Sequence, residues 1–333
     1  MKKTTPMLLV SMVSALLTGC GDSDSLPAPV TELIAQFDPA KDESPEGLAL
    51  SPDGKTAYAG MIGTGVILAV SLADGKVNQF GSVSPLPVEG LSVLGLATDK
   101  GGDLYVAVGS ESPAYPPGIY KIAAAGGGSA LFASHPDMGH PNGILFDSDG
   151  ELWITDSVAG GIFKASADGK TVSLWLSHPT LEGDTTGPCT SGLSSPVGAN
   201  GIAIAGGNVY VTNSDKATLI RIPIGPGGAA GTPEAVVEPD ENCLPLAGPE
   251  GIVADEDGSI LVATYTRSQA IVRVDPDGTT EVVVSGDPLD VPTNLTFTTR
   301  NGERGLVIAN CGCGNPNPGP NPGPGLVWHG PLP

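Results

Sequence analysis

The residues best suited to chemistry recur at one slot of a repeat. Glu46, Asn142, Asn200 and Glu250 each stand directly before a glycine that opens an apolar run, and Thr293 holds the same slot before Asn294. Leu94 fills it once more, so the slot falls at 46, 94, 142, 200, 250 and 293, at intervals of 48, 48, 58, 50 and 43 residues. Five of these six side chains offer oxygen, and two carry full negative charge. Carboxylates and amide carbonyls gathered without Cys or His suit one hard divalent cation, Ca²⁺ at about 2.3–2.6 Å, better than zinc or copper. Asn-Gly on its own is a turn signal, but Glu is no turn former and holds the slot twice. Asp156, Asn213, Thr264 and Asn310 lie at matching offsets further on; of these, Asp156 and Asn213 are expected to face a substrate. A cation in such a site would polarise the carbonyl of a lactone or ester and hold the developing oxyanion. The base would be Glu250, or His140, whose ordinary pKa of about 6.5 suits proton transfer near neutrality. A serine nucleophile has no support, since no Gly-x-Ser-x-Gly elbow occurs.

To bring those slots together, the chain must repeat one element plan. Asn142-Gly143-Ile144-Leu145-Phe146-Asp147 leads through a turn into Leu152-Trp153-Ile154-Thr155-Asp156, and Glu250-Gly251-Ile252-Val253-Ala254-Asp255 leads into Ile260-Leu261-Val262-Ala263-Thr264. Third and fourth strands follow, as in Gly161-Ile162-Phe163-Lys164 and Ser173-Leu174-Trp175-Leu176. Periods of roughly 40–50 residues with four strands each read as propeller blades. The expectation is an all-β, six-bladed β-propeller over residues 30–333 with four-stranded blades. In such a ring the slots converge on one central funnel. The last copy is one strand short, and residues 30–37 supply an apolar strand before the first slot. Pairing that N-terminal strand inside the last blade would close the ring and remove an open edge.

These Glu-Gly and Asn-Gly starts, with Asp-Gly turns before Leu152-Trp153-Ile154-Thr155-Asp156, resemble the gluconolactonase/regucalcin (senescence marker protein) family of six-bladed propellers. The resemblance covers residues 32–329. It implies a metal-dependent lactone or ester hydrolase with one cation held by Glu46, Asn200 and Glu250, and with Asn142 beside the substrate. Two positions depart from the family pattern. Glu250 stands where the family has Asp, one methylene shorter. His140 stands where the family often has Arg, which removes a bidentate anchor for a polyhydroxylated substrate. The alternative function is a non-catalytic, surface-tethered propeller that binds a small molecule or a protein partner.

Composition agrees with many short strands. Of 333 residues, 48 are Gly and 32 Pro, which argues against long helices. Fifteen basic against 36 acidic side chains give a formal charge of −21, and such a surface repels phosphate backbones, so nucleic acid is excluded as a partner. Three Trp leave little for a large aromatic docking face; a monomer with a small-molecule ligand is expected. Met1-Lys2-Lys3 and the apolar run 7–17 read as an export signal, residues 1–19. It ends in Leu17-Thr18-Gly19-Cys20, which looks like a bacterial lipobox. Cys20 is then the lipidated N-terminus, residues 20–29 a tether, and the cell envelope (periplasm or exterior) the location, with membrane contact only through the lipid. Cys189, Cys243, Cys311 and Cys313 are disulfide candidates with three connectivities open, although a Cys-x-Cys pair rarely bonds to itself. Zinc is disfavoured because no His lies at ligand spacing.

Overall fold

Side-chain alternation decides where each strand sits. In the third repeat, Pro141–Phe146, Leu152–Asp156, Gly161–Ala165 and Val172–Ser177 form an antiparallel meander in that order. Leu152 and Ile154 pack into one hydrophobic cluster, while Trp153 between them packs into the next. Successive side chains leave a strand on opposite faces, so a run apolar at every position must be covered on both sides. The Asp147 carboxylate accepts the N–H groups of Asp149 and Glu151 and Gly150 takes a φ of +83°, which together make the tight reversal after the first strand.

A computed structural model describes residues 28–313 and 323–332. The export signal, Cys20, tether residues 20–27 and the Asn/Pro/Gly stretch 314–322 lie outside the described residues. Among the described residues the regular structure is strand, apart from the short 3-10 turns Pro39–Lys41 and Pro226–Gly228. The chain is all-β. Four sheets have four strands each, and one has eight. The eight-stranded sheet is the first two repeats, joined where outer strands Val77–Ser82 and Gly127–Ala133 meet in parallel at Gly81 and Gly127. A Cβ on Gly81 would lie 2.4 Å from the Gly127 carbonyl, so only glycine permits that contact.

The first strands of the repeats are Pro45–Leu50, Leu91–Thr98, Pro141–Phe146, Ala199–Ala205, Pro249–Ala254 and Pro292–Arg300. Each touches the next, and the last touches the first. The core follows the same circuit: six hydrophobic clusters, each shared by two neighbouring repeats. The N-terminal strand Val30–Gln36 pairs antiparallel with Gly325–Gly330, from Val30 opposite Gly330 to Gln36 opposite Gly325. Phe37 and Ala35 thereby enter the cluster that holds Leu48, Met61 and Trp328.

The cysteines pair as Cys189–Cys243 and Cys311–Cys313. The second bond corrects the expectation that a Cys-x-Cys pair does not close on itself. Cys311 and Gly312 donate their N–H groups to the carbonyls of Val291 and Asp290, and Gly312 has a φ of +60°. That turn brings the two cysteine Cα atoms to 5.0 Å, within bonding range.

Candidate functional site

The slot residues are levelled by the glycines that follow them. A Cβ on Gly47 would lie 2.0 Å from the Leu94 carbonyl oxygen, on Gly95 2.2 Å from that of Asn142, and on Gly143 2.4 Å from that of Asn200. Gly201 and Gly251 stand in the same relation to Glu250 and Thr293, at 2.4 and 2.8 Å. Each repeat thus presses its glycine against the slot residue of the next. None of these five glycines has a positive φ, so they are present for close approach and not for a turn. Where the sixth repeat has Asn294 instead, Thr293 Oγ1 lies 3.2 Å from the carbonyls of both Pro45 and Glu46. Two threonines tie neighbouring repeats further. Thr155 Oγ1 accepts from Gly143 N at 2.8 Å and donates to the Asn200 carbonyl; Thr212 Oγ1 accepts from Gly201 N at 2.8 Å and donates to the Glu250 carbonyl at 2.7 Å.

At the start of the first strands, Glu46, Asn142, Asn200, Glu250 and Thr293 are buried together. Ser157 Oγ donates to the Ala199 carbonyl at 2.8 Å and accepts from Asn142 Nδ2 at 3.1 Å. Ser214 repeats the device one unit on, donating to Pro249 at 2.7 Å and accepting from Asn200 Nδ2 at 3.0 Å. The same Asn200 nitrogen donates to Glu250 Oε2 at 2.7 Å. With each amide nitrogen held, the Asn142 and Asn200 Oδ1 atoms accept from nothing among the described residues. Glu250 faces Glu46 across the ring, close enough for each carboxyl to act on the other's ionisation, and Thr293 Oγ1 donates to the Glu46 main-chain carbonyl at 3.2 Å.

That carboxyl–carboxyl contact follows from burial. Loss of solvent pushes Glu46 up to about 7, opposed by Glu250 and Thr293 beside it. Burial, then the Glu46 charge, push Glu250 well above the ordinary range, with Asn200 opposing. Two carboxylates that cannot both ionise in a dry site share a proton. A divalent cation would take that proton's place. The donor set is all oxygen, as a hard cation requires. Among the described residues no group of three or more His, Cys, Asp or Glu could hold a metal, so a cation here would rest on two carboxylates and the amide oxygens, with water completing its shell.

Other expected residues lie elsewhere in the scheme. Leu94 packs into the core between the second and third repeats. Asp156 accepts N–H groups of Gly139, His140, Val158 and Ala159 at 2.8–3.1 Å, so its carboxylate orders two loops and does not face a substrate. Asn213 is committed likewise: its amide donates to the Thr180 and Glu182 carbonyls at 2.9 Å and accepts from Lys216 N at 3.0 Å. His140 packs its ring over Gly109, where a Cβ would meet it at 2.3 Å. Burial lowers the pKa of this imidazole, with the Asp156 charge opposing, so it is neutral at pH 7. A cavity of about 890 Å³ opens at the far end of the same strands, among Ile144, Phe146, Gly201, Ile252 and Thr296. Of the carboxylates that line it, Asp147 accepts from Trp153 Nε1 and Glu151 pairs with Lys164, and Asp149 stands beside them; the slot side chains Glu46, Asn142, Asn200 and Glu250 lie at the other end of the strands.

One residue near the site went unread. Tyr265 follows Thr264 as Ser157 follows Asp156 and Ser214 follows Asn213, with Pro141, Ala199 and Pro249 opposite those strand ends. The shared register was the available signal, and the change from Ser to Tyr hid it.

No protein-family model matches the chain, and no curated protein matches it. Solved structures do. A calcium-binding protein, regucalcin, from Agrobacterium tumefaciens aligns at TM-score 0.63 and 19% identity, over 91% of this chain and 93% of that one. A gluconolactonase from Xanthomonas campestris aligns at 0.62 and 17%, over 88% of each. The PQQ-bound aldose sugar dehydrogenase from Streptomyces coelicolor aligns at 0.60 and 16%, over 92% and 99%. At these identities the likeness is one of fold. Its members differ in activity, so the site has to decide the chemistry.

Proposed function

We propose that the protein is a six-bladed β-propeller closed through its N-terminal strand, and that its central funnel hydrolyses a lactone or ester with the help of a Ca²⁺-type cation. The observation that carries this is the buried Glu46–Glu250 pair with the Asn200 and Asn142 amide oxygens turned free beside it. Neighbours of the same fold include a calcium-binding regucalcin and a gluconolactonase, which supports the choice of cation and reaction. Glu46, Glu250 and Asn200 would hold the cation, and Asn142 would lie next to the substrate. When bound, a divalent cation supplies Lewis-acid polarisation of the acyl carbonyl. Glu250 faces Glu46 and accepts from Asn200, which leaves His140, neutral and with no hydrogen bond to its ring among the described residues, as the base. It takes a proton from water as the water oxygen bonds to the acyl carbon. The acyl–oxygen bond then breaks, and the proton passes to the departing alkoxide.

The proposal carries two further expectations from the sequence: export through residues 1–19, and lipidation at Cys20 as the only membrane contact in the cell envelope. A hydrolysis screen tests the central one. Soluble protein beginning at residue 28 should hydrolyse at least one of a panel of lactones and aryl esters with Ca²⁺ and lose that activity in chelator. His140→Gln should lower kcat at least tenfold with Ca²⁺ affinity unchanged, whereas Glu250→Gln should lower both. Ca²⁺ binding in calorimetry with no turnover on any substrate would favour the binding-module reading instead.

A further inference from the structure

An asparagine amide keeps nearly the same shape when turned end for end, but the turn exchanges an acceptor for two donors. For Asn142 and Asn200 that exchange decides what the funnel can hold, because a hard cation takes amide oxygen and not amide nitrogen. Neither slot residue settles the matter within its own strand. The deciding groups are two serines just past the second strands of their repeats, Ser157 after Asp156 and Ser214 after Asn213.

Both serines are buried, and their backbones are fixed. Ser157 N donates to the His140 carbonyl at 3.0 Å, and the Ser157 carbonyl accepts from Gly198 N at 2.9 Å. Ser214 N donates to the carbonyl of the same Gly198 at 3.3 Å. Each hydroxyl then lies between an asparagine of its own repeat and a main-chain carbonyl of the next: Ala199 at 2.8 Å for Ser157, Pro249 at 2.7 Å for Ser214. A carbonyl has no proton to give, so the single serine proton goes to it. Only lone pairs remain on Oγ, and the asparagine atom at 3.1 or 3.0 Å must be the nitrogen. Both Oδ1 atoms are left pointing away from the serines. Neither has a partner among the described residues and neither is enclosed, so each keeps an open side. The Glu250 carboxyl, 2.7 Å from Asn200 Nδ2, does not fix the turn by itself. A carboxyl meets either end of an amide, according to whether it carries a proton.

We infer that Ser157 and Ser214 are positioning residues that set which end of each asparagine amide meets the funnel. Ser214 turns the Asn200 oxygen to the cation, and Ser157 turns the Asn142 oxygen to the substrate. The two act separately, because Asn200 bonds Glu250 whereas Asn142 bonds no carboxyl group among the described residues. This inference rests on the proposed hydrolase reading and adds to it the groups that orient its two amides.

The experiment uses the chain from residue 28, which keeps every strand of the ring, with Ca²⁺, γ-butyrolactone and phenyl acetate as probes. Ser214→Ala should weaken Ca²⁺ binding in calorimetry about tenfold or more, as loss of a group that orients a metal ligand does. In an Asn200→Ala background the same substitution should change Ca²⁺ binding less than about twofold, since no amide is left to orient. A merely structural serine would act alike in both backgrounds. The rise in melting temperature with millimolar Ca²⁺ reads binding where calorimetry is too weak. Ser214→Cys, whose thiol is a weaker donor, should fall between serine and alanine, and it serves if Ser214→Ala does not fold. Ser157→Ala should leave Ca²⁺ affinity within about twofold and raise KM on the better probe about fivefold. Equal losses from Ser214→Ala with and without Asn200, or no loss at all, overturn the Ser214 role and leave the hydrolase standing. A Ser157→Ala chain with unchanged KM overturns the Ser157 role in the same way. A wild type that binds no Ca²⁺ overturns the hydrolase reading and this inference with it. One that binds Ca²⁺ but turns over neither probe overturns the Ser157 role, while calorimetry still decides Ser214.

Discussion

At the scale of single residues, the Glu46–Glu250 contact dictates how the molecule responds to pH. Both groups hold protons more tightly folded than unfolded, because burial penalises their charge. A native state that binds more protons than the unfolded one loses stability as pH rises. For Glu46 the window runs from the ordinary carboxyl value of 4.5 to about 7, and for Glu250 it continues higher. In chelator, the cation-free protein should therefore melt at a lower temperature at pH 8 than at pH 5. Glu46→Gln removes one ionisation, so its melting temperature should change less between those two pH values. The shift amounts to roughly 2–3 kcal/mol as an upper figure. With Ca²⁺ the sign reverses for binding: affinity should strengthen as pH rises through 7, protons should be released on binding, and Glu46→Gln should weaken it at least about tenfold. Melting temperatures equal at pH 5 and 8 for wild type in chelator would remove the shared proton from the site. Glu46 and Glu250 were legible because a repeated slot carried an unusual residue. Asp156 and Asn213 were misread because sequence shows a carboxylate or amide near a strand end but not the four N–H groups of two loops that claim the one, or the carbonyls that claim the other.

At the scale of elements, the glycine after each slot positions the site. A side chain there collides with backbone of the next repeat, which cannot rotate away as a side-chain tip can. Gly143→Ala would place its Cβ 2.4 Å from the Asn200 carbonyl, and overpacking of this kind costs about 1–3 kcal/mol or more. It should also move Asn200, so both the melting temperature and Ca²⁺ affinity should fall. Gly63→Ala is the comparison: nothing lies within 4 Å of a Cβ there and its φ is not positive, so neither quantity should change. If both variants melt alike, the glycines are not what aligns the repeats. Four-strand repeats, their spacing and the strand identities were open to reading because apolar alternation and Asp-Gly turns are local. The role of the slot glycine was not, since it is set by a carbonyl about 50 residues away. The loops 178–198 and 238–248 were opaque for the same reason: Asp215 and the Cys189–Cys243 bond organise them from a distance.

At the scale of the whole molecule, a funnel built from six first strands keeps its shape only while the circuit of contacts is unbroken. Every slot residue leans on the next, and Thr293 returns the circuit to Glu46. The seam in that circuit is the sixth repeat, where chain from both ends meets. Val30–Gln36 pairs with Gly325–Gly330, Phe37 N donates to the Pro324 carbonyl at 2.9 Å, and Ala35 and Phe37 are buried with Leu48, Met61 and Trp328. A chain lacking residues 1–39 loses that strand, buried apolar area and several ladder bonds at once. It should melt well below a chain lacking only residues 1–27, by several kcal/mol of stability. It also leaves Gly325–Gly330 as an unpaired edge, so it should associate at concentrations where the longer chain stays monomeric. The effect should reach the site although no slot residue has been touched, because Glu46 opens the strand next to the seam. Its Ca²⁺ affinity should drop while that of the longer chain does not. Equal melting temperatures for the two chains would mean that the ring holds without its N-terminal strand. The pairing of Val30–Gln36 would then be decoration on a circuit closed by Thr293 and Glu46 alone.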